Sequence, residues 1–244
     1  MPLDLNNVKA IVFDLGNTLI EFGPRQMRHH NAALAQTFLR MFGTCDVERL
    51  AAIRDKQLVA PDENNFKEND SRTLAIEMVQ KLYNITPSEE QINILLDARN
   101  KAFIDEVELP DNVLPLLKNL SKHYRIALIS NYPRGKSIRG ALSKIGLLDK
   151  FEAIIVSGEV GYVKPHPYPF EAMLNLLKLN APQCIYVGDN WLADIQGAKR
   201  IGMQAIYTTQ YEPYEKITPS DGDYQPDARI SRIEELNQLL MWNE

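Results

Sequence analysis

Five short apolar runs, each unbroken rather than alternating, recur along the chain: Val8 to Phe13, Arg125 to Ile129, Ala153 to Val156, Cys184 to Val187 and Gln204 to Tyr207. Alternation marks a strand with one wet face, whereas continuity marks a strand covered on both faces, as in a parallel sheet. Helical patterns separate the later runs at Gly135 to Ile145, Pro167 to Leu179 and Leu192 to Ile201, the last closed by Gly202 as a C-cap. Strand and helix in steady alternation predict an α/β fold built on a doubly wound parallel sheet. A weaker sixth strand is expected at Asp227 to Ile230, after a loop rich in Pro, Asp and Gly. "SRIEELNQLLMW" then reads as a helix with Ser231 at its N-cap and Glu234 three residues on.

The first strand breaks this rhythm, because about a hundred residues separate it from the second. That interval reads as four helices, Arg25 to Phe42, Val47 to Val59, Ser71 to Tyr83 and Ser88 to Ile104, interrupted by "FGTCD", "APDENN" and "NITPSEE". The economical organisation is a helical bundle inserted after the first strand, with Asp111 to Lys122 returning the chain to the sheet. This predicts an α/β core over residues 1–20 and 108–244 and a helical cap domain over 21–107. A bundle there would overhang the crevice at the strands' carboxyl ends, where α/β sheets bind ligands.

Composition excludes several partner classes. The 27 basic and 32 acidic residues give a formal charge of −5 with no long block of either sign, so neither nucleic acid nor an anionic membrane is the expected partner. No run approaches the length of a membrane span, and the N-terminal residues lack a signal-peptide pattern. Cys45 and Cys184, the only cysteines, read as free thiols of a reducing compartment, and a cytoplasmic location is expected. Oligomeric state has no sequence signal.

Four polar clusters follow predicted strands and therefore meet at one sheet edge: Asp14 with Asn17 and Thr18, Ser130-Asn131, Lys164 in "VSGEVGYVKPHP", and Asp189 with Asp194 in "YVGDNWLADIQGAKRIGM". Singly, each has a bland reading. Asp14 and Ser130 suit caps or turns, Lys164 a solvated charge, and Asp194 an ion pair with Lys199 or Arg200. Together they suit attack on a phosphate monoester, with Asp14 as nucleophile and Ser130, Asn131 and Lys164 holding phosphoryl oxygens. A dianionic ester is repelled by Asp14 unless a cation intervenes. Mg²⁺, which favours carboxylate, carbonyl and water oxygens, fits Asp14, Asp189 and Asp194.

The same residues resemble the motifs of the haloacid dehalogenase superfamily, most of whose members are phosphatases. "FDLGNTL" corresponds to its nucleophile motif, "ISN" to its Ser/Thr motif, "VKPHP" to its lysine motif and "GDNWLAD" to its acidic motif. The resemblance implies a Rossmann-like core, an aspartyl-phosphate intermediate, Mg²⁺ as cofactor, a small phosphorylated metabolite as substrate, and a cap between the first two motifs. It also implies that residue 16 supplies a backbone carbonyl to the metal, which Gly16 retains.

Phosphatases of that family usually carry a second Asp at position 16, the proton donor to the leaving group. A positioned donor contributes on the order of 10²–10⁴ in rate. Three readings therefore stand: a phosphatase with a good leaving group or a borrowed donor, a dehalogenase, which needs no such acid but whose relatives lack the acidic pair, and a capped binding protein without turnover. His29, His30 and Asn17 are the conceivable borrowed donors, the histidines being read first as a solvated helix face. Arg25, Arg28 and Arg72 are read as surface ion-pair residues, Trp191 as lining a pocket or covering the sheet edge, and Arg134 as facing either phosphate or cap.

Overall fold

The computed structural model describes residues 3–211, 220 and 222–240. Six parallel strands form one sheet: β1 (Ala10–Phe13), β2 (Arg125–Ser130), β3 (Ala153–Val156), β4 (Cys184–Gly188), β5 (Gln204–Thr208) and β6 (Ala228–Ile230), in the order β3-β2-β1-β4-β5-β6. The chain winds outward from β1 through β2 to β3, then returns to the other side of β1 for β4. The switch point, where crossovers diverge and leave a crevice, is thus the carboxyl end of β1.

Strand alternation sorts the core into two layers. Ile11, Phe13, Leu128, Val187 and Ile206 pack toward helices α5 (Val113–Leu120), α6 (Gly135–Lys144) and α10 (Leu236–Leu240). Val12, Ala127, Ile129, Tyr186 and Ala205 pack toward α8 (Pro167–Leu177) and α9 (Gly197–Arg200). Both faces are buried, which is why the strands read as continuous apolar runs.

Between β1 and β2 lie α1 (Pro24–Phe42), α2 (Val47–Glu63), α3 (Ser71–Tyr83) and α4 (Glu89–Glu106), with an apolar core of their own that includes Leu34, Phe38, Leu50, Met78 and Leu95. Their starts follow capping chemistry: the Asp70 carboxylate accepts from the Thr73 N–H at 2.8 Å, and Ser88 and Gln91 form a reciprocal capping box. The second of these helices continues past Val59, its expected end, and through Pro61. Proline has no N–H for the Gln57 carbonyl, and the Asn69 side-chain amide takes that place at 2.9 Å. Residues 66–68 then clasp the loop before Lys164, the Val163 N–H donating to the Phe66 carbonyl at 2.8 Å and the Glu68 N–H to the Gly161 carbonyl at 2.9 Å.

Three elements differ from expectation. The short helix α7 (Ser157–Val160) has no sequence signal of its own. The last turn begins one residue late, with Arg232 at its N-cap and Glu235, not Glu234, accepting from the backbone N–H groups of Ser231 and Arg232. The helix expected at Leu192 to Ile201 opens as a π-type turn, Trp191–Gln196, before α9. Residues 241 and 242 of the predicted final helix lie outside the described residues. No helix among the described residues is long and apolar enough to cross a membrane.

Candidate active site

Asp14 is the first residue beyond β1, held in line by its N–H donating to the Val187 carbonyl at 2.9 Å. Asp189 follows β4 directly, and Asp194 is brought back by the π-type turn, in which the Asp194 and Ile195 N–H groups share the Asn190 carbonyl at 2.9 and 3.2 Å. Such wide turns recur at functional sites because they redirect one side chain without ending the helix. Here the redirected residue is Asp194, which packs so closely on Gly188 that any Cβ there would overlap its carboxylate. Asp14, Asp189 and Asp194 each present an oxygen within 4.8 Å of the others.

Lys164 lies among them rather than at the surface. It is 3% exposed, and its Nζ donates to Asp14 Oδ1 and Asp194 Oδ1, both at 2.7 Å, to the Tyr186 hydroxyl at 2.8 Å and to the Ile129 carbonyl at 3.2 Å. The solvated-charge reading of Lys164 and the pairing of Asp194 with Lys199 are both overturned; Lys199 binds Asp227 instead. Asn131 also departs from expectation. Its Oδ1 accepts from the Lys164 N–H at 2.8 Å and its Nδ2 donates to the Lys164 carbonyl at 3.0 Å, so the side chain grips the lysine's backbone rather than facing the cavity with a free amide. Ser130, nearly buried at the end of β2, lines the cavity together with Asp14, Gly16, Asn131, Lys164, Asp189 and Asp194, and this space measures about 230 Å³.

Electrostatics follow from crowding. Burial raises Asp14 to about 6, Lys164 opposing and Asp194 reinforcing the shift. Burial and the charges of Asp14 and Asp194 push Asp189 up to about 8, although the Thr18 hydroxyl donates to it at 3.3 Å. Burial alone would lower Lys164, but the two carboxylates outweigh it and hold the ammonium well above its ordinary value. One ammonium thus faces three carboxylates, an arrangement short of positive charge.

Phe22 stands over Gly16: a Cβ on Gly16 would lie 3.3 Å from the Phe22 Cβ. Asn17, in the left-handed conformation at φ 56°, fixes this turn through its Oδ1, which accepts from the Phe22 N–H at 2.9 Å. His30 is not on a solvated face. It is 2% exposed against Phe22 and Phe103, and burial, then the charges of Arg54, Arg99 and His29, press its imidazole down to about 3. His29 meets Glu106 instead, at 3.2 Å. Neither histidine lines the cavity. Arg25 pairs with Glu106 and Glu108, and Arg72 with Glu89, while Arg28 is exposed. Arg134 faces the inserted helices, donating to the Leu96 carbonyl at 2.7 Å, and Trp191 is buried against Tyr207. Tyr186 was not foreseen: inside an apolar strand, its hydroxyl marks itself only by lying three residues before Asp189.

A family model described as haloacid dehalogenase-like hydrolase matches residues 11–208, from β1 through the last of the four polar clusters to β5. The chain belongs to the haloacid dehalogenase-like hydrolases. It is 26% identical over 237 residues to a ribulose-1,5-bisphosphate 5-phosphatase of Halopiger xanaduensis, covering 95% of this chain and 98% of that one. It is 27% identical over 254 residues to a 5-amino-6-(5-phospho-D-ribitylamino)uracil phosphatase of Escherichia coli, covering 97% and 98%. Among solved structures, a 2-haloacid dehalogenase from Pseudomonas syringae superposes with a TM-score of 0.74 at 26% identity, covering 96% of this chain and 98% of that one. The haloacid dehalogenase-like sheet accounts for the convergence seen here, since its switch point gathers the ends of β1, β2 and β4 in one crevice.

Proposed function

We propose that this hydrolase cleaves phosphate monoesters of small metabolites with Asp14 as nucleophile. The observation that supports this best is the meeting of Asp14, Asp189 and Asp194 within 4.8 Å, with Lys164 bridging two of them. The donor set fits Mg²⁺: hard carboxylate oxygens, short of compensating positive charge. Asp14, Asp189 and the Gly16 carbonyl would hold the ion. Asp194, whose Oδ1 and Oδ2 already accept from Lys164 and the Asn190 N–H, would support it directly or through water. When bound, the ion offsets the charge of ester and nucleophile, allowing them to approach.

In this reading an Asp14 carboxylate oxygen attacks phosphorus, the bond to the leaving oxygen breaks, and water then hydrolyses the aspartyl phosphate. Lys164 orients Asp14 and balances phosphoryl charge, Ser130 donates to a phosphoryl oxygen, and Asn131 keeps Lys164 in place. We take residues 21–107 as a cap domain that excludes water from the intermediate, with 1–20 and 108–244 as the core. Turnover of p-nitrophenyl phosphate that requires Mg²⁺ is the expected result; silence at saturating metal would overturn the proposal.

Gly16, together with the dehalogenase among the similar structures, favours a second reading in which Asp14 attacks carbon. Release of chloride from 2-chloropropionate without added metal would select it. Under the phosphatase reading, Gly16→Asp is expected to raise turnover of an alkyl phosphate about 10²-fold relative to p-nitrophenyl phosphate, because only the poor leaving group needs the proton. Phe22 has to yield a few tenths of an ångström for this, and an unchanged ratio would mean that another group already supplies the proton.

Acidity gives a further check. Burial raises Asp14 to about 6 and, with the neighbouring carboxylates, Asp189 to about 8, against 3.8 when unperturbed. Their contribution to stability is therefore full below about pH 4 and is lost as pH rises through those values. The Tm of chelator-treated protein is expected to fall between about pH 4 and pH 8, and Mg²⁺ to restore more at the upper end, where the two acids are more fully ionised. A metal increment independent of pH would contradict this.

A further inference from the structure

A second cavity, about 310 Å³, adjoins the first, and Asn131, Lys164, Asn190 and Ala193 line both. Its wall carries two arginines from the inserted helices, Arg54 of α2 and Arg99 of α4. Arg54 is 5% exposed and donates to the neutral amide oxygen of Asn31. The Nε of Arg99 is buried without an acceptor, and its guanidinium lies 5.8 Å over the Tyr132 ring and favours the ionised form of that phenol. Among the described residues, neither arginine is within ion-pair distance of a carboxylate. Of the acids in the same wall, Glu68 accepts from the Asn69 N–H and the Ser157 hydroxyl and also feels the charge of Arg99, and Asp62 faces solvent.

A buried guanidinium held by a neutral amide is unfavourable, and native chains rarely leave a buried donor such as Arg99 Nε unsatisfied. Burial and the charge of Arg99 depress Arg54 to about 10, as two cations sharing a poorly hydrated wall should. An oxyanion relieves both conditions, because the guanidinium fork matches carboxylate and phosphate oxygens. We propose that Arg54 and Arg99 form a second anion subsite, so that the substrate is a phosphate monoester carrying another oxyanion, carboxylate or phosphate, at its far end. Tyr132, which lines the first cavity and touches Arg99, sits between the two ends. This inference rests on the reading of Asp14 as the residue that attacks the ester.

The test compares glycerol 3-phosphate, whose tail is neutral, with 3-phosphoglycerate and ribulose 1,5-bisphosphate, whose tails carry a carboxylate and a phosphate. Wild-type kcat/KM is expected to favour at least one anionic tail by roughly 10- to 100-fold, the scale of a charge-assisted pair. Which of the two is favoured identifies the oxyanion. Arg99→Met should erase that preference, mainly through KM, while changing p-nitrophenyl phosphate turnover by less than about twofold; Arg99→Lys should restore part of it. Equal slowing of all substrates by Arg99→Met, or a preference that survives it, would overturn the subsite.

Calorimetric binding of ribulose 1,5-bisphosphate to wild type and Arg99→Met reads the same preference without turnover. Binding that depends on Arg99 in a protein inert toward p-nitrophenyl phosphate would support the subsite while overturning the phosphatase reading. Binding indifferent to Arg99 would overturn the subsite alone.

Discussion

Asp14→Asn is expected, on the proposed role of Asp14, to abolish hydrolysis, with kcat falling roughly 10⁴-fold or more, as when covalent nucleophiles are removed elsewhere. The amide keeps the shape of the carboxylate, so packing should be retained. Stability should hold or improve, because burial already disfavours the ionised form of Asp14, pushing it up to about 6. Loss of turnover with an unchanged or raised Tm separates a missing nucleophile from a damaged fold. Residual turnover within about tenfold of wild type would move the attacking group elsewhere.

Lys164→Met is expected to be the most destabilising single change at the site. It removes a buried ammonium that Asp14, Asp194, Tyr186 and the Ile129 carbonyl all share, and leaves two carboxylates facing each other. Breaking a buried pair from one side costs about 3–5 kcal/mol. For a chain of this length that is a fall in Tm of about 10 °C. The loss should be greater at pH 8 than at pH 5.5, since protonation of the acids relieves their repulsion, and Mg²⁺ should recover part of it. On the proposed role of Lys164, activity should fall by about 10²–10³ even with Mg²⁺ added, because a preorganised charge aimed at the phosphoryl group would be gone. A Lys164→Met protein melting like wild type in the presence of chelator would refute the charge balance described here.

Much of the architecture was legible in the chain because it depends on local rules. Continuous apolar runs at β1 to β5 could only be strands with two dry faces, and the capping box at Ser88 and the left-handed turn at Gly202 mark helix ends through backbone chemistry alone. The four polar clusters were legible for a related reason: each stands at a strand's carboxyl end, and topology brings those ends together. Where local rules misled, a distant partner had intervened. The second inserted helix was expected to end at Val59, before "APDENN", but it continues through Pro61, where Asn69 supplies the missing hydrogen bond. His30 was expected in solvent, and Phe22 and Phe103 enclosed it.

The linear order of residues by itself determined the parallel sheet, the helical insertion after β1 and the set of acids, hydroxyl and lysine gathered at one edge, since periodicity and position relative to strand ends need no knowledge of partners. Only the tertiary structure decided which charges meet. Lys164 took Asp14 and Asp194, Asn131 took the lysine's backbone, and Arg54 and Arg99 came together in a cavity wall, neither within ion-pair distance of a carboxylate among the described residues. Ion pairing and burial act over a few ångströms in space, and residues 150 or 30 positions apart in sequence become neighbours only when the sheet and its helical insertion close on one another.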